Sequence, residues 1–158
     1  MTEERVRYAP LMRDVVGFSL SHVQAGGIPF AAYVVDARGR VLGRGVNRVR
    51  QHHDPTAHAE VEAIRQACRN HQVSVLHGAT LLASGEPCAL CYLSALYAGV
   101  SHILFAVDRD EVAAHGFDYR NTYRLFQQDP LLWSALRIRK LAVVEGLDPF
   151  RAFQQTLP

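Results

Sequence analysis

Apolar positions along the chain follow a helical period first and a strand-like period afterwards. Leu11, Val15, Val16 and the run from Phe18 to Val23 recur at helical spacing, and Gly26-Gly27 ends that helix. Residues 28–36 are apolar and β-branched, Ala37-Arg38-Gly39-Arg40 has turn character, and residues 41–46 resume the apolar run, which predicts an antiparallel hairpin. Asp54-Pro55-Thr56 is a helix-start signal, with Asp54 or Thr56 as the cap and Glu60 and Glu62 in the first turn. Residues 79–83 read as a buried strand, 84–87 as a tight loop, and 88–98 as a helix closed by Gly99. Two more strands are predicted over 102–107 and 138–144, with short helical pieces between them around Glu111 and Leu131-Leu132-Trp133, and a closing helix over 148–155. This alternation specifies an α/β fold, a three-layer α/β/α sandwich with a mixed five-stranded sheet.

Composition narrows the class. A chain of 158 residues with 49% hydrophobic content is expected to form one globular domain over 1–158. Arg13, Asp14 and His22 interrupt the first amphipathic stretch, so neither a leader nor a membrane span is expected, and a cytoplasmic location follows. Three cysteines suit a reducing compartment, with Cys68 read as a small packed side chain on a helix. The formal charge of +2 demands no nucleic acid, although Arg137, Arg139 and Lys140 form a candidate local patch.

The chemistry sits in His58-Ala59-Glu60 and Glu86-Pro87-Cys88-Ala89-Leu90-Cys91. One imidazole and two thiolates are natural ligands for a single Zn2+, and three protein ligands leave a fourth position for water, which the metal acidifies. Glu60, two residues beyond the histidine, is free to move protons between that water and a substrate. A structural zinc would need a fourth ligand, for which His52 and His53 are the nearest candidates, but their simpler reading is solvated loop histidines. A redox pair of Cys88 and Cys91 would leave His58 and Glu60 unexplained. Both motif halves open predicted helices, whose N-termini favour thiolate.

The pairing of H-x-E with P-C-x-x-C is the signature of zinc-dependent nucleobase deaminases. The chain resembles the cytidine deaminase-like superfamily, and the run from Asp54 to Arg65 is similar to its guanine deaminase and tRNA adenosine deaminase branch. Further likeness lies in the segment Gly27 to Ala32, in Asn47 and Ser84, in Gly116-Phe117-Asp118, and in the segment Asp148 to Phe153. The last two favour guanine deaminase-like members. The resemblance implies that His58, Cys88 and Cys91 hold zinc and that Glu60 transfers protons. It also implies that Asn47 and the Ala59 amide hydrogen-bond the substrate while Phe30 packs on its ring. Read alone, Phe30 is a core residue and Asn47 a turn residue.

Two departures bear on the substrate. Tyr119 stands where the family pattern has a second Asp after Asp118, so both residues are candidate substrate contacts, and a phenol can donate or accept. The family's tail also carries an aromatic lid beyond the closing helix. Here that lid is expected to differ or be missing, with Phe150 and Phe153 as substitutes or, more simply, as core. The expected activity is hydrolytic deamination of a small heterocyclic amine, with guanine giving xanthine and ammonia as the leading case. Adenosine deamination in tRNA and a non-catalytic zinc-stabilised module are the alternatives. Arg151 is the single basic residue of the closing helix, which disfavours nucleic acid. Relatives of this fold suggest a homodimer, and Tyr92, Leu96 and Tyr97 are candidate contacts or, more simply, core.

Overall fold

The computed structural model describes residues 2–158, and contacts divide the chain into two units, Met1–Phe126 and Gln127–Pro158. In the first unit, helix α1 (Glu3–Gln24) begins where the Thr2 hydroxyl accepts the Arg5 amide, and the chain turns out of it at Gly26 with φ of 95°. The predicted hairpin is present as β1 (Ala31–Val35) and β2 (Val41–Val46). A short helix α2 (Val49–His52) leads to α3 (Ala59–His71), and β3 (Thr80–Gly85), α4 (Ala89–Tyr97), β4 (His102–Val107) and α5 (Arg109–Ala114) follow. Strand β1 pairs antiparallel with both β2 and β3, and β3 pairs parallel with β4, so the mixed sheet runs β2-β1-β3-β4.

Strand alternation sorts the core into two clusters, one on each face of the sheet. Ala31, Tyr33 and Val35 pack with Val15 and its neighbours on α1. On the other face, Ala32, Val34 and Leu81 pack with Ala59, Ala63 and Ala67 of α3 and Ala95 of α4, with Cys68 partly buried beside them. These are the three layers of the expected sandwich.

The approach of α3 to the sheet is set by absent side chains. Ala59, Ala63 and Ala67, spaced four residues apart, face Gly43 and Gly45 of β2. A Cβ at Gly43 would sit 2.5 Å from Ala63 O and Ala67 N, and one at Gly45 would strike Ala59 O and Ala63 N. The outer edge of β2 is covered from the same helix. Gln66 Oε1 accepts the Arg44 amide at 2.7 Å, and Asn70 Nδ2 donates to Leu42 O at 3.2 Å.

Several expectations are corrected. Helix α3 starts at Ala59, because the Thr56 amide and hydroxyl both donate to Asp54 Oδ1 and hold 54–56 as a turn, leaving His58 as the N-cap. The sheet has four strands among the described residues. Residues 138–144, expected as the fifth, lie in the second unit and form no ladder there; Leu141 and Val144 are 89% and 94% exposed. β-branched runs become strands only when a partner and a half-buried face are supplied. Leu96 and Tyr97 are exposed on α4 rather than core, since the helix turns Cys91 and Ala95 inward instead. The second unit consists of short 3-10 turns at Pro130–Leu132 and Val144–Leu147 and the helix α6 (Asp148–Gln154), on which Phe150 and Phe153 are exposed rather than core.

Candidate active site

His58 and Cys88 occupy the N-cap positions of α3 and α4, and neither side chain makes a capping bond. Ser, Thr, Asp or Asn would normally satisfy a helix amide from that position. Here the two caps turn away from their own helices and toward each other. His58 Nδ1 lies 3.4 Å from Cys88 Sγ and 3.4 Å from Cys91 Sγ, and the two sulfurs are 3.7 Å apart. A tetrahedral zinc with its usual bond lengths would place nitrogen and sulfur ligands about 3.6 Å apart and two sulfurs about 3.8 Å apart. The three residues therefore fit one Zn2+, and all their ligand atoms lie within 4.8 Å of one another. His52 and His53 are exposed and stand outside this cluster. The Cys91 sulfur and His58 hold the Cys88 thiol below its ordinary pKa, while the neighbouring sulfur and burial push Cys91 up.

Glu60, in the first turn of α3, is 5% exposed and has no basic ion-pair partner among the described residues. Burial raises its pKa above the ordinary carboxylate value. It lines a cavity of about 300 Å³ together with the three ligands, Phe30, Asn47, Ala59, Phe117 and Tyr119. Such a volume is at the lower end of ligand pockets and suits a small heterocycle.

Each wall of this cavity has a definite hydrogen-bonding sense. Asn47 Oδ1 accepts the Val49 amide at 3.2 Å, so the Asn47 amide NH2 is the part left to donate. The backbone of Asn47 is held by Phe30 O at 3.0 Å and by His22 Nε2, 2.9 Å from Asn47 O. The Ala59 N–H is one of the first-turn amides that no helical carbonyl can reach. Tyr119 donates its hydroxyl hydrogen to Glu86 O, so the phenol oxygen offers only lone pairs to the cavity. Phe30 meets Phe117 edge to face with centroids 5.2 Å apart. Asp118 is exposed, paired with Arg120 at 2.8 Å, and is not among the residues lining the cavity.

The family described as the cytidine and deoxycytidylate deaminase zinc-binding region matches residues 8–107. The chain belongs to this family. It is a zinc-dependent hydrolytic deaminase. A guanine deaminase of Bacillus subtilis is 31% identical over 150 residues, covering 94% of this chain and 95% of that protein. The crystal structure of guanine deaminase from Bacillus subtilis superposes with a TM-score of 0.85 at 30% identity, covering 99% of this chain and 96% of that one. A tRNA-specific adenosine deaminase of Haemophilus influenzae is 32% identical over 125 residues, or 78% of this chain and 69% of that protein.

Sequence reasoning missed the support behind the deaminase ligands. Glu86 is 5% exposed, and Arg109 binds it through the backbone N–H at 3.0 Å, Nε at 2.9 Å and Nη2 at 2.6 Å, while the Tyr92 hydroxyl donates to it at 2.9 Å. Burial alone would raise the Glu86 pKa, but the Arg109 bonds outweigh it and hold the carboxyl below 4.5. The Tyr123 hydroxyl donates to Pro87 O at 2.5 Å, and the Arg109 guanidinium lies 3.8 Å from the Tyr123 ring centroid. Residues 86 and 87, immediately before the Cys88 ligand, are thereby fixed from three sides. The available signal was an Arg two residues past the end of a strand parallel to the one that delivers the motif, because sites in α/β sheets gather at strand carboxyl ends. Arg50, exposed on α2 at the cavity rim, was also missed.

Proposed function

We propose that this deaminase acts on a small amino-substituted purine, with guanine, hydrolysed to xanthine and ammonia, as the best-supported substrate. The observation carrying the reading is a buried carboxylate, Glu60, without a basic ion-pair partner among the described residues, lining with His58, Cys88 and Cys91 a cavity sized for one heterocycle. When bound, zinc supplies a Lewis acid that brings the pKa of water toward neutrality.

Glu60 would take a proton from the attacking water and deliver it to the ring nitrogen next to the amino-bearing carbon as the water oxygen bonds to that carbon, then carry the remaining hydroxyl proton to the amine as the C–N bond breaks and ammonia leaves. Its raised pKa suits both directions of transfer. The Asn47 amide and the Ala59 N–H donate to ring acceptors such as the guanine oxygen, and the Tyr119 oxygen accepts from a ring N–H. With its proton committed to Glu86, the phenol offers the acceptor character that an aspartate would bring. Phe30, backed by Phe117, packs on the ring face.

The test is ammonia release by the zinc-loaded protein from guanine, adenine, cytosine, pterins and their nucleosides. Guanine is expected to dominate, and Glu60→Gln is expected to lower kcat by at least ~100-fold with zinc retained. Turnover at the wild-type rate in that variant would remove Glu60 from the mechanism. Silence on guanine with turnover of another ring would reassign the substrate; salt-dependent binding of tRNA would favour the RNA reading.

We also infer a homodimer. Within its own unit α4 leaves Leu93, Leu96 and Tyr97 exposed, an apolar strip suited to burial against a second copy. Sedimentation equilibrium should give twice the chain mass, and a monomer at working concentration would refute this.

A further inference from the structure

A second cavity, of about 350 Å³, lies along the outer edge of β2, on the side of that strand away from β1. Arg44 enters it from β2, Arg48 from the segment after β2, and Arg69 from α3, with Gln66 on the helix wall and Phe18 of α1 at its margin. Among the described residues, none of the three arginines has a carboxylate within ion-pair distance. The single acidic residue lining the cavity is Glu62, and its carboxylate is taken by Arg65 at 2.6 Å. The Arg44 guanidinium rests on the Tyr33 ring at 5.2 Å, a contact that steadies it without neutralising it.

Three arginines lining one cavity, with no carboxylate partner among the described residues, concentrate positive charge there, which a bound anion would offset. Their donor forks match the oxygen geometry of phosphate. Gln66 adds another donor, because its Oε1 is spent on the Arg44 amide and its NH2 group stays unused. Phe18, tilted against Tyr33 at 5.9 Å, supplies an aromatic margin. We propose that this groove is a binding site for a diphosphate or triphosphate group, presented either as the free inorganic ion or on a nucleotide. The site is separate from the zinc cavity, with which it shares no lining residue.

Isothermal titration calorimetry on the zinc-loaded full chain, with inorganic pyrophosphate and ADP as probes at constant ionic strength, tests this. Saturable binding is expected, weakened about tenfold or more by each of Arg44→Gln, Arg48→Gln and Arg69→Gln. Tighter binding of ADP than of pyrophosphate would make the nucleotide the source, and equal binding would make it the free ion. Binding unchanged in all three variants would put the anion elsewhere, the zinc cavity included, and overturn the proposal, as would the absence of saturable heat with either probe. Arg69 is exposed on α3, so Arg69→Gln leaves the core intact and keeps the test decisive if a strand variant fails to fold.

Discussion

Single side chains in this deaminase take their chemistry from what their neighbours leave unused. Tyr119 and Asn47 each spend one end on the backbone, Glu86 O in one case and the Val49 amide in the other, and so each faces the cavity with one hydrogen-bonding sense. Glu86 shows the same logic in support of the metal. Arg109 is 40% exposed, so screening keeps the pair below the value of a fully buried one, and Glu86→Gln is expected to lower stability by about 1–2 kcal/mol. Because the folded-state pKa of Glu86 lies below 4.5, its contribution is complete above pH 4.5 and fades as the pH falls through the lowered value. Thermal melts on either side of that pH should show the wild type losing more stability than Glu86→Gln, and zinc retention should fall in the variant at neutral pH.

Elements place these side chains, and the decisive contact is α3 against β2. Two glycines facing a stripe of alanines let the helix axis come close enough for His58 and Glu60 to meet the α4 ligands. Gly43→Ala would push on the α3 backbone, which has no flexible side chain to give way. A destabilisation of about 1–3 kcal/mol is expected, measured by urea unfolding, together with a lowered kcat as the first turn of α3 shifts. His58 and Cys88, as N-caps without capping bonds, would in turn give up stability to their ligand role, and α3 and α4 are the helices expected to fray first when that role is not filled.

At the scale of the molecule, a zinc held by His58 at the start of one helix and by Cys88 and Cys91 of another would tie α3 to α4 at their N-termini and link metal affinity to folding. At free zinc roughly a thousandfold above its Kd, the linkage is worth about 4 kcal/mol. Chelation should lower the Tm accordingly, and readdition of zinc should restore it.

The order of elements through β4, apart from the short α2, and the set of His58, Cys88 and Cys91 that can hold a single zinc were legible in the chain, because each rests on local periodicity or on the spacing of chemically distinctive residues. Asp54-Pro55-Thr56 misled, the cap being His58 and not Asp54 or Thr56, since a turn and a helix cap use the same side chains and only the backbone path separates them. Residues 138–144 carried strand propensity without a strand, because pairing is a property of two segments and not of one. The grip of Arg109 on Glu86, the committed proton of Tyr119 and the convergence of Arg44, Arg48 and Arg69 join residues distant in sequence. Sequence determined which groups the chain carries and the local elements that hold them. Tertiary structure decided which of those groups meet, because hydrogen-bonding sense and ion pairing depend on distances that no local pattern encodes.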